Sequence, residues 1–132
     1  MSEVEQLVNI ISAVLQAEDK TKRENAEQTL VGLRTTKPNE LMIAFLMILS
    51  GQYQTAHRNF SASQLRLCLS AFAPATYTNL WDSLTSDTQN HIKTELFKIL
   101  FSETDLSMKK HIADTLGEIA GSILSKEITA WP

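Results

Sequence analysis

The feature that most constrains this sequence is a recurring signal for opening a helix, each time followed by an apolar stripe of helical period. In a capping box, a Ser or Thr at the N-cap and a Glu or Gln three residues later each satisfy an amide that the first turn leaves unpaired. Ser2 with Glu5, Thr21 with Glu24, Ser61 with Gln64 and Ser86 with Gln89 fit that pattern. Pro38 marks a further start, because proline lacks an amide hydrogen that a first helical turn would leave unused. Thr104 or Asp105 can cap one more. A single match is a common coincidence, but six starts ahead of periodic segments predict six helices.

The stripes agree. Val4, Leu7, Val8, Ile11, Val14 and Leu15 recur at spacings of three and four, which puts them on one helical face. Ala26, Leu30 and Leu33 line the second helix. Leu41, Ile43, Phe45, Leu46 and Ile48 belong to a third that is apolar nearly all round. Leu65, Leu67, Leu69 and Phe72 mark the fourth, which should stop before Pro74 because proline disfavours a helical residue ahead of it. Residues 75–84 read as a connector with a short helix around Leu80 and Trp81. Ile92, Leu96, Ile99 and Leu100 line the fifth helix; Met108, Ile112, Leu116, Ile119, Ala120 and Ile123 line the sixth. No segment sustains the alternation that an antiparallel sheet needs.

Composition narrows the class further. Hydrophobic residues make up 43%, enough for a core, while Gly (4) and Pro (3) are scarce. A net charge of −3 without a basic stripe argues against a nucleic-acid binder. The most apolar run, residues 41–49, falls well short of the ~20 residues a membrane span needs. The start, Met1-Ser2-Glu3-Val4-Glu5, lacks the basic and apolar regions of a secretory signal. Cys68, the single cysteine, has no internal disulfide partner and fits a reducing compartment.

Paired in order, the six helices give about three antiparallel helical hairpins, at residues 2–35, 38–84 and 86–126. That unit is close to the ~40–47 residues of HEAT and armadillo repeats. The expected fold is therefore all-α, an α-α superhelix of HEAT/armadillo type, in which each hairpin buries its faces only against its neighbours. Trp131-Pro132 would open a fourth repeat, and the sixth helix would then expose apolar surface without it. The reading is of a fragment of a longer solenoid.

Chemistry is sparse. His57, His91 and His111 are not at metal-ligand spacing and read as surface histidines. Leu67-Cys68-Leu69 reads as core and not as a nucleophile with a base. The glycines form no phosphate loop, and Gly117 and Gly121 read as close packing points on the sixth helix. The carboxylates make no acid–base pair. An enzyme is not expected, and no cofactor or metal is implied. Two charged runs remain, 19–24 and 107–111, each opening the second helix of a hairpin. They are either solvated helix starts or equivalent positions on one concave binding surface.

The run DKTKRENAEQTLVGL, residues 19–33, resembles the first repeat of importin-beta-like nuclear transport receptors, in which a charged start precedes an Ala-Glu pair and a Leu, here Ala26, Glu27 and Leu30. Residues 84–123 are similar to the third repeat of the importin beta-3 branch. The Ser-Asp-x-Gln start, the Ile-Lys-x-Glu-Leu core, the Glu-Thr turn, Ser-Met-Lys-Lys, Asp114 and Glu118 fall in order, and Trp131-Pro132 matches the opening of the next repeat. The pattern departs from the family around residues 59–75, where a basic pair is usual and Cys68-Leu69-Ser70-Ala71-Phe72 stands instead.

The resemblance implies the N-terminal HEAT repeats of a karyopherin-beta import receptor. Second helices would line a concave face that receives Ran-GTP and so helps release cargo. Lys109, Lys110 and Asp114, with Lys22 and Arg23, would be the Ran-binding residues. The full-length receptor would also meet import cargo proteins and phenylalanine-glycine (FG) nucleoporins, with no nucleic-acid or membrane partner. It would shuttle between cytoplasm and nucleus through the nuclear pore of the envelope. The rival expectation is a HEAT-repeat scaffold or adaptor for another complex, such as a phosphatase or kinase regulatory subunit; the fold alone does not separate the two.

Overall fold

The computed structural model describes residues 2–16, 18–69 and 80–130, with side chains through Ala120 except Gln16. The described residues are all-helical and contain no strand. Six helices follow in order: α1 (Glu3–Gln16), α2 (Lys20–Thr36), α3 (Pro38–Ser50), α4 (Thr55–Leu69), α5 (Ser86–Ser102) and α6 (Leu106–Ala130), with a 3₁₀ turn at Trp81–Ser83 before α5.

Capping chemistry explains most of these starts, and it corrects several expectations. Ser2 caps α1, its hydroxyl accepting from the Glu5 amide at 3.1 Å. Pro38 opens α3 as expected. The cap of α2 is Asp19 and not Thr21: its carboxylate accepts from the Thr21 amide at 2.8 Å, which moves the start to Lys20. Thr85, one residue ahead of Ser86, caps α5 by accepting from the Thr88 amide at 3.2 Å. Gln89 instead donates to the Trp81 carbonyl at 2.7 Å and ties the 3₁₀ turn to α5. Of the two candidates for α6, Asp105 accepts from the Ser107 amide at 3.0 Å.

Ser61 is no cap at all. It lies fully buried inside α4, which begins six residues earlier at Thr55. The reason is burial: His57, Ser61, Ala62, Leu65, Cys68 and Leu69 form one continuous inner stripe, which extends the helix through the local Ser-Gln pattern.

The helices pack as pairs and then in layers. α1 lies on α2, α3 on α4 and α5 on α6; α1, α3 and α5 also touch in succession, and α4 touches both α1 and α6. α3 is central and accordingly buries seven of its residues, Phe45, Met42, Ile48 and Leu49 completely. The core continues through Ile11, Leu65, Cys68 and Leu69 to Ile92, Leu96, Met108 and Ile112. Trp81 and Leu84 close it beside the 3₁₀ turn, and the Leu80 amide donates to the Cys68 carbonyl at 2.7 Å.

Two stripe members differ from expectation. Leu15, placed on the inner face of α1, is exposed near that helix's end, and Ala120 is exposed on α6. Large exposed apolar side chains occur on α5 at Phe97 and Phe101 and at the first residue of α6, Leu106. The stop before Pro74, Phe72, the side chain of Ile123, Gly121 as a packing point and the opening of a fourth repeat at Trp131 all lie outside the described residues.

Candidate interaction surface on the even-numbered helices

Charge is distributed unequally between odd and even helices. The first turns of α1, α3 and α5 carry Glu3 and Glu5, Glu40, and Asp87. Such acids favour the positive end of a helix dipole. The first turns of α2, α4 and α6 carry none. Their early residues are instead Lys20, Lys22 and Arg23 on α2, Arg58 on α4, and Lys109 and Lys110 on α6. Cations there oppose the dipole by a few tenths of a kcal/mol each, roughly 0.3–1 at most. Asp19 and Asp105, as N-caps, offset part of that.

The expected binding residues fall in two groups. Lys22 and Arg23 stand exposed on α2, which packs against α1 and α3; Lys20 beside them pairs with Glu24 at 3.7 Å. On α6, which packs against α4 and α5, Lys110 and Asp114 are exposed and Lys109 is half-buried. Asp114 belongs to a compact polar cluster at the α4–α6 contact. Arg66 of α4 donates from its Nε to Glu118 Oε1 at 2.8 Å, and Ser63 Oγ lies 3.4 Å from His111 Nε2. Glu118 strengthens the charge of Arg66, with Asp114 as a smaller contributor. Burial, then the Arg66 guanidinium, pushes the His111 imidazole below its ordinary pKa, while Asp114 pulls the other way.

Similar ties join the other even helices. Arg34 Nη2 of α2 donates to Gln64 Oε1 of α4 at 3.0 Å. Arg58 of α4 makes an ion pair with Glu103, the residue after α5, while its Nε donates to the Leu49 carbonyl at 2.8 Å. That carbonyl is among the last of α3 and has no partner within its own helix, so the arginine supplies one.

Sequence reasoning did not find Arg34, Arg58, Arg66 or Gln64. One signal was available: Arg34 and Arg66 both fall in the last turns of α2 and α4, the second helices of successive pairs. The surface reading of the histidines is corrected for two of the three. His57 is buried, with Nε2 2.8 Å from Ser12 Oγ, and His111 is half-buried; His91 is exposed.

Cys68 lies in the core, where burial raises its thiol to about 11 against the lesser opposing pull of Arg34. Among the described residues no cluster of His, Cys, Asp and Glu could hold a metal ion, and no helix is long and apolar enough to cross a membrane.

Hollows open between the described helices. One of about 60 Å³ lies between α1, the end of α2 and the start of α3. Another, of about 280 Å³, lies between α1 and the turn from α3 to α4. No protein-family model matches this chain.

Proposed function

We propose that this chain is the N-terminal HEAT-repeat segment of a karyopherin-beta nuclear import receptor, with a part in Ran-GTP binding and in the cargo release that follows. The resemblance of residues 84–123 to a third repeat of the importin beta-3 branch carries the reading. Two structural observations support it. The pairwise packing, with one succession of odd helices and an α4–α6 contact on the other side, suits stacked hairpins of a solenoid. The cations at the starts of α2 and α6 sit where they do not help their own helices, which suits a role toward an acidic partner. Phe97, Phe101 and Leu106 supply apolar surface of the kind that another hairpin covers in a longer stack.

On this reading Lys109, Lys110 and Asp114, with Lys22 and Arg23, meet Ran. The exposed lysines act as steering charges, each contributing at most about 1 kcal/mol. Cargo and FG nucleoporins engage the full-length receptor, which works between cytoplasm and nucleus at the nuclear pore. The test is a titration of Ran, loaded with GTP or with GDP, against this chain and against the receptor that carries it. Preference for the GTP form is expected, with weak binding to the segment alone. Equal affinity for the two forms refutes the function. Binding unchanged by Lys109→Glu with Lys110→Glu removes only those two residues from the site.

A further inference from the structure

The odd helices begin at one edge. Asn39 Oδ1, in the first turn of α3, accepts from the amide of Thr85, the cap of α5, at 2.9 Å. Glu3 of α1 and Glu40 of α3 line the same small hollow. The starts of α1, α3 and α5 are therefore neighbours in turn, and Glu3, Glu5, Glu40 and Asp87 make that edge acidic. Acids at helix starts suit the dipoles of their own helices, and that alone would account for their presence.

The hollow between them is of another kind. Its walls are Leu7 and Ile10 of α1, Leu33 near the end of α2, and Leu41 and Ala44 of α3. Leu7, Leu41 and Ala44 are buried, but Ile10 and Leu33 are only half-buried, so apolar surface stays open to water there. Glu3, Glu40 and Lys37, all exposed, complete the lining. Among the described residues none of these three side chains forms an ion pair or a hydrogen bond. Two carboxylates against one ammonium leave the rim negative, and both carboxylates are free to meet a cation from outside. Size selects the apolar part. A water-sized group needs roughly 10–15 Å³ of such space, so about 60 Å³ holds about four to six heavy atoms. The four carbons of a leucine side chain fit that room, and the seven of a phenylalanine do not.

We infer that the hollow between α1, α2 and α3 docks a short segment of another protein that carries one aliphatic side chain of leucine size beside a lysine or arginine. The aliphatic group fills the hollow, and the cation meets Glu3 and Glu40 at the rim. The neighbouring acids Glu5 and Asp87 draw a basic segment toward this edge and repel an acidic one. An aromatic anchor is too large for the space. The surface belongs to the odd-helix edge, apart from Lys22, Arg23, Lys109 and Lys110, so this inference and the assignment to Ran stand or fall separately.

The test is an NMR titration of the 132-residue chain, labelled with ¹³C in its methyl groups, with the peptide acetyl-Gly-Lys-Leu-Lys-Gly-amide. The methyl signals of Leu7, Ile10, Leu33 and Ala44 should shift saturably, with a dissociation constant on the order of 0.1–1 mM. Alanine in place of the peptide's leucine should weaken binding about tenfold, because the carbons it lacks no longer leave water. Glu3→Gln with Glu40→Gln, both at exposed positions where the melting midpoint will show the fold intact, should weaken it about tenfold too. Lys37→Gln removes the opposing cation and should tighten binding about threefold. Lys110→Gln should bind as the parent does. The inference is overturned if the shifts do not saturate, or if a peptide with phenylalanine for leucine binds as tightly. It is equally overturned if glutamate in place of both peptide lysines changes nothing, or if the double glutamine variant binds as the parent does. Methyl shifts that follow protein concentration without peptide would put a second copy of the chain in the hollow and overturn it as well.

Discussion

Replacing Glu103 by Gln tests whether the arginine ties hold the pairs together or merely decorate their surface. Arg58 is 17% exposed and Glu103 10%, so water screens this pair far less than it does Lys20 with Glu24. Glutamine keeps the shape and can still accept from the Asp105 amide, which meets Glu103 Oε1 at 3.2 Å. It removes the charge and, with its one oxygen on the Asp105 amide, turns an NH2 donor toward Arg58, leaving the guanidinium with the neutral Leu49 carbonyl. A hydrogen bond to a charged group is worth roughly 1.5–3 kcal/mol, and about 2 kcal/mol is the expected loss here. At roughly 2.1 cal/mol/K of unfolding entropy per residue, 132 residues give about 0.28 kcal/mol/K, so the melting midpoint should fall by about 7 °C.

The pH dependence of that difference is fixed in sign. The hydrogen bond from Arg58 is the largest cause holding the Glu103 carboxyl below its ordinary range in the fold, against a smaller opposing effect of burial. A depressed pKa gives stability that is complete above the unfolded value, about 4.3 for glutamate, and is lost as pH falls through the folded value. Parent and Glu103→Gln should therefore differ fully at pH 7 and converge below about pH 4. Urea unfolding followed by circular dichroism at several pH values measures this directly. A difference under about 0.5 kcal/mol at pH 7, the ordinary scatter of surface substitutions, refutes the reasoning. So does a difference of constant size down to pH 3.

Three further outcomes follow from burial. Phe45→Ala should lower stability by about 3–5 kcal/mol, since Phe45 is wholly enclosed in central α3 and its removal leaves a cavity; chemical denaturation reads this. Ser61→Ala should raise stability by about 1 kcal/mol, because the Ser61 hydroxyl is buried without a partner among the described residues and a methyl group needs none; a higher denaturation midpoint with unchanged slope would show it. Cys68, buried and raised to about 11, should react with a thiol reagent at pH 8 only as fast as the chain unfolds, so labelling should accelerate with added urea.

What the sequence disclosed divides along physical lines. Pro38, Ser2 and, as one of two candidates with Thr104, Asp105 were legible as helix starts because their effect is local stereochemistry and a single nearby amide. The stripe Leu7–Ile11 and the enclosed run of α3 were legible because helical period and apolar character together decide burial. Ser61 misled for the same reason that Ser2 informed. A capping box is a four-residue pattern, and whether the chain enters a helix there or passes through one depends on what lies beneath.

The polar ties of the candidate surface were illegible in a stricter sense. Arg66 finds Glu118 across 52 residues, and His57 finds Ser12 across 45, so the partners exist only once the pairs have packed. The charges of Lys22, Arg23, Lys109 and Lys110 were visible from the start. So was their place at the openings of second helices; the structure fixes Lys20 and Leu106 as the first residues of α2 and α6.

The position of α4 has a mechanical consequence. This helix packs on α1, α3 and α6, accepts a hydrogen bond from Arg34 of α2, and extends Arg58 to Glu103, just past α5. It thus has a direct connection to every other part of the described chain. A force bending the first pair away from the third cannot concentrate at one flexible joint, because each candidate joint is bridged by a side chain rooted in α4. The described helices should deform as an elastic rod does, sharing a displacement among all their contacts. A ligand that tilts one end by a few degrees would then be felt as a graded shift at the other.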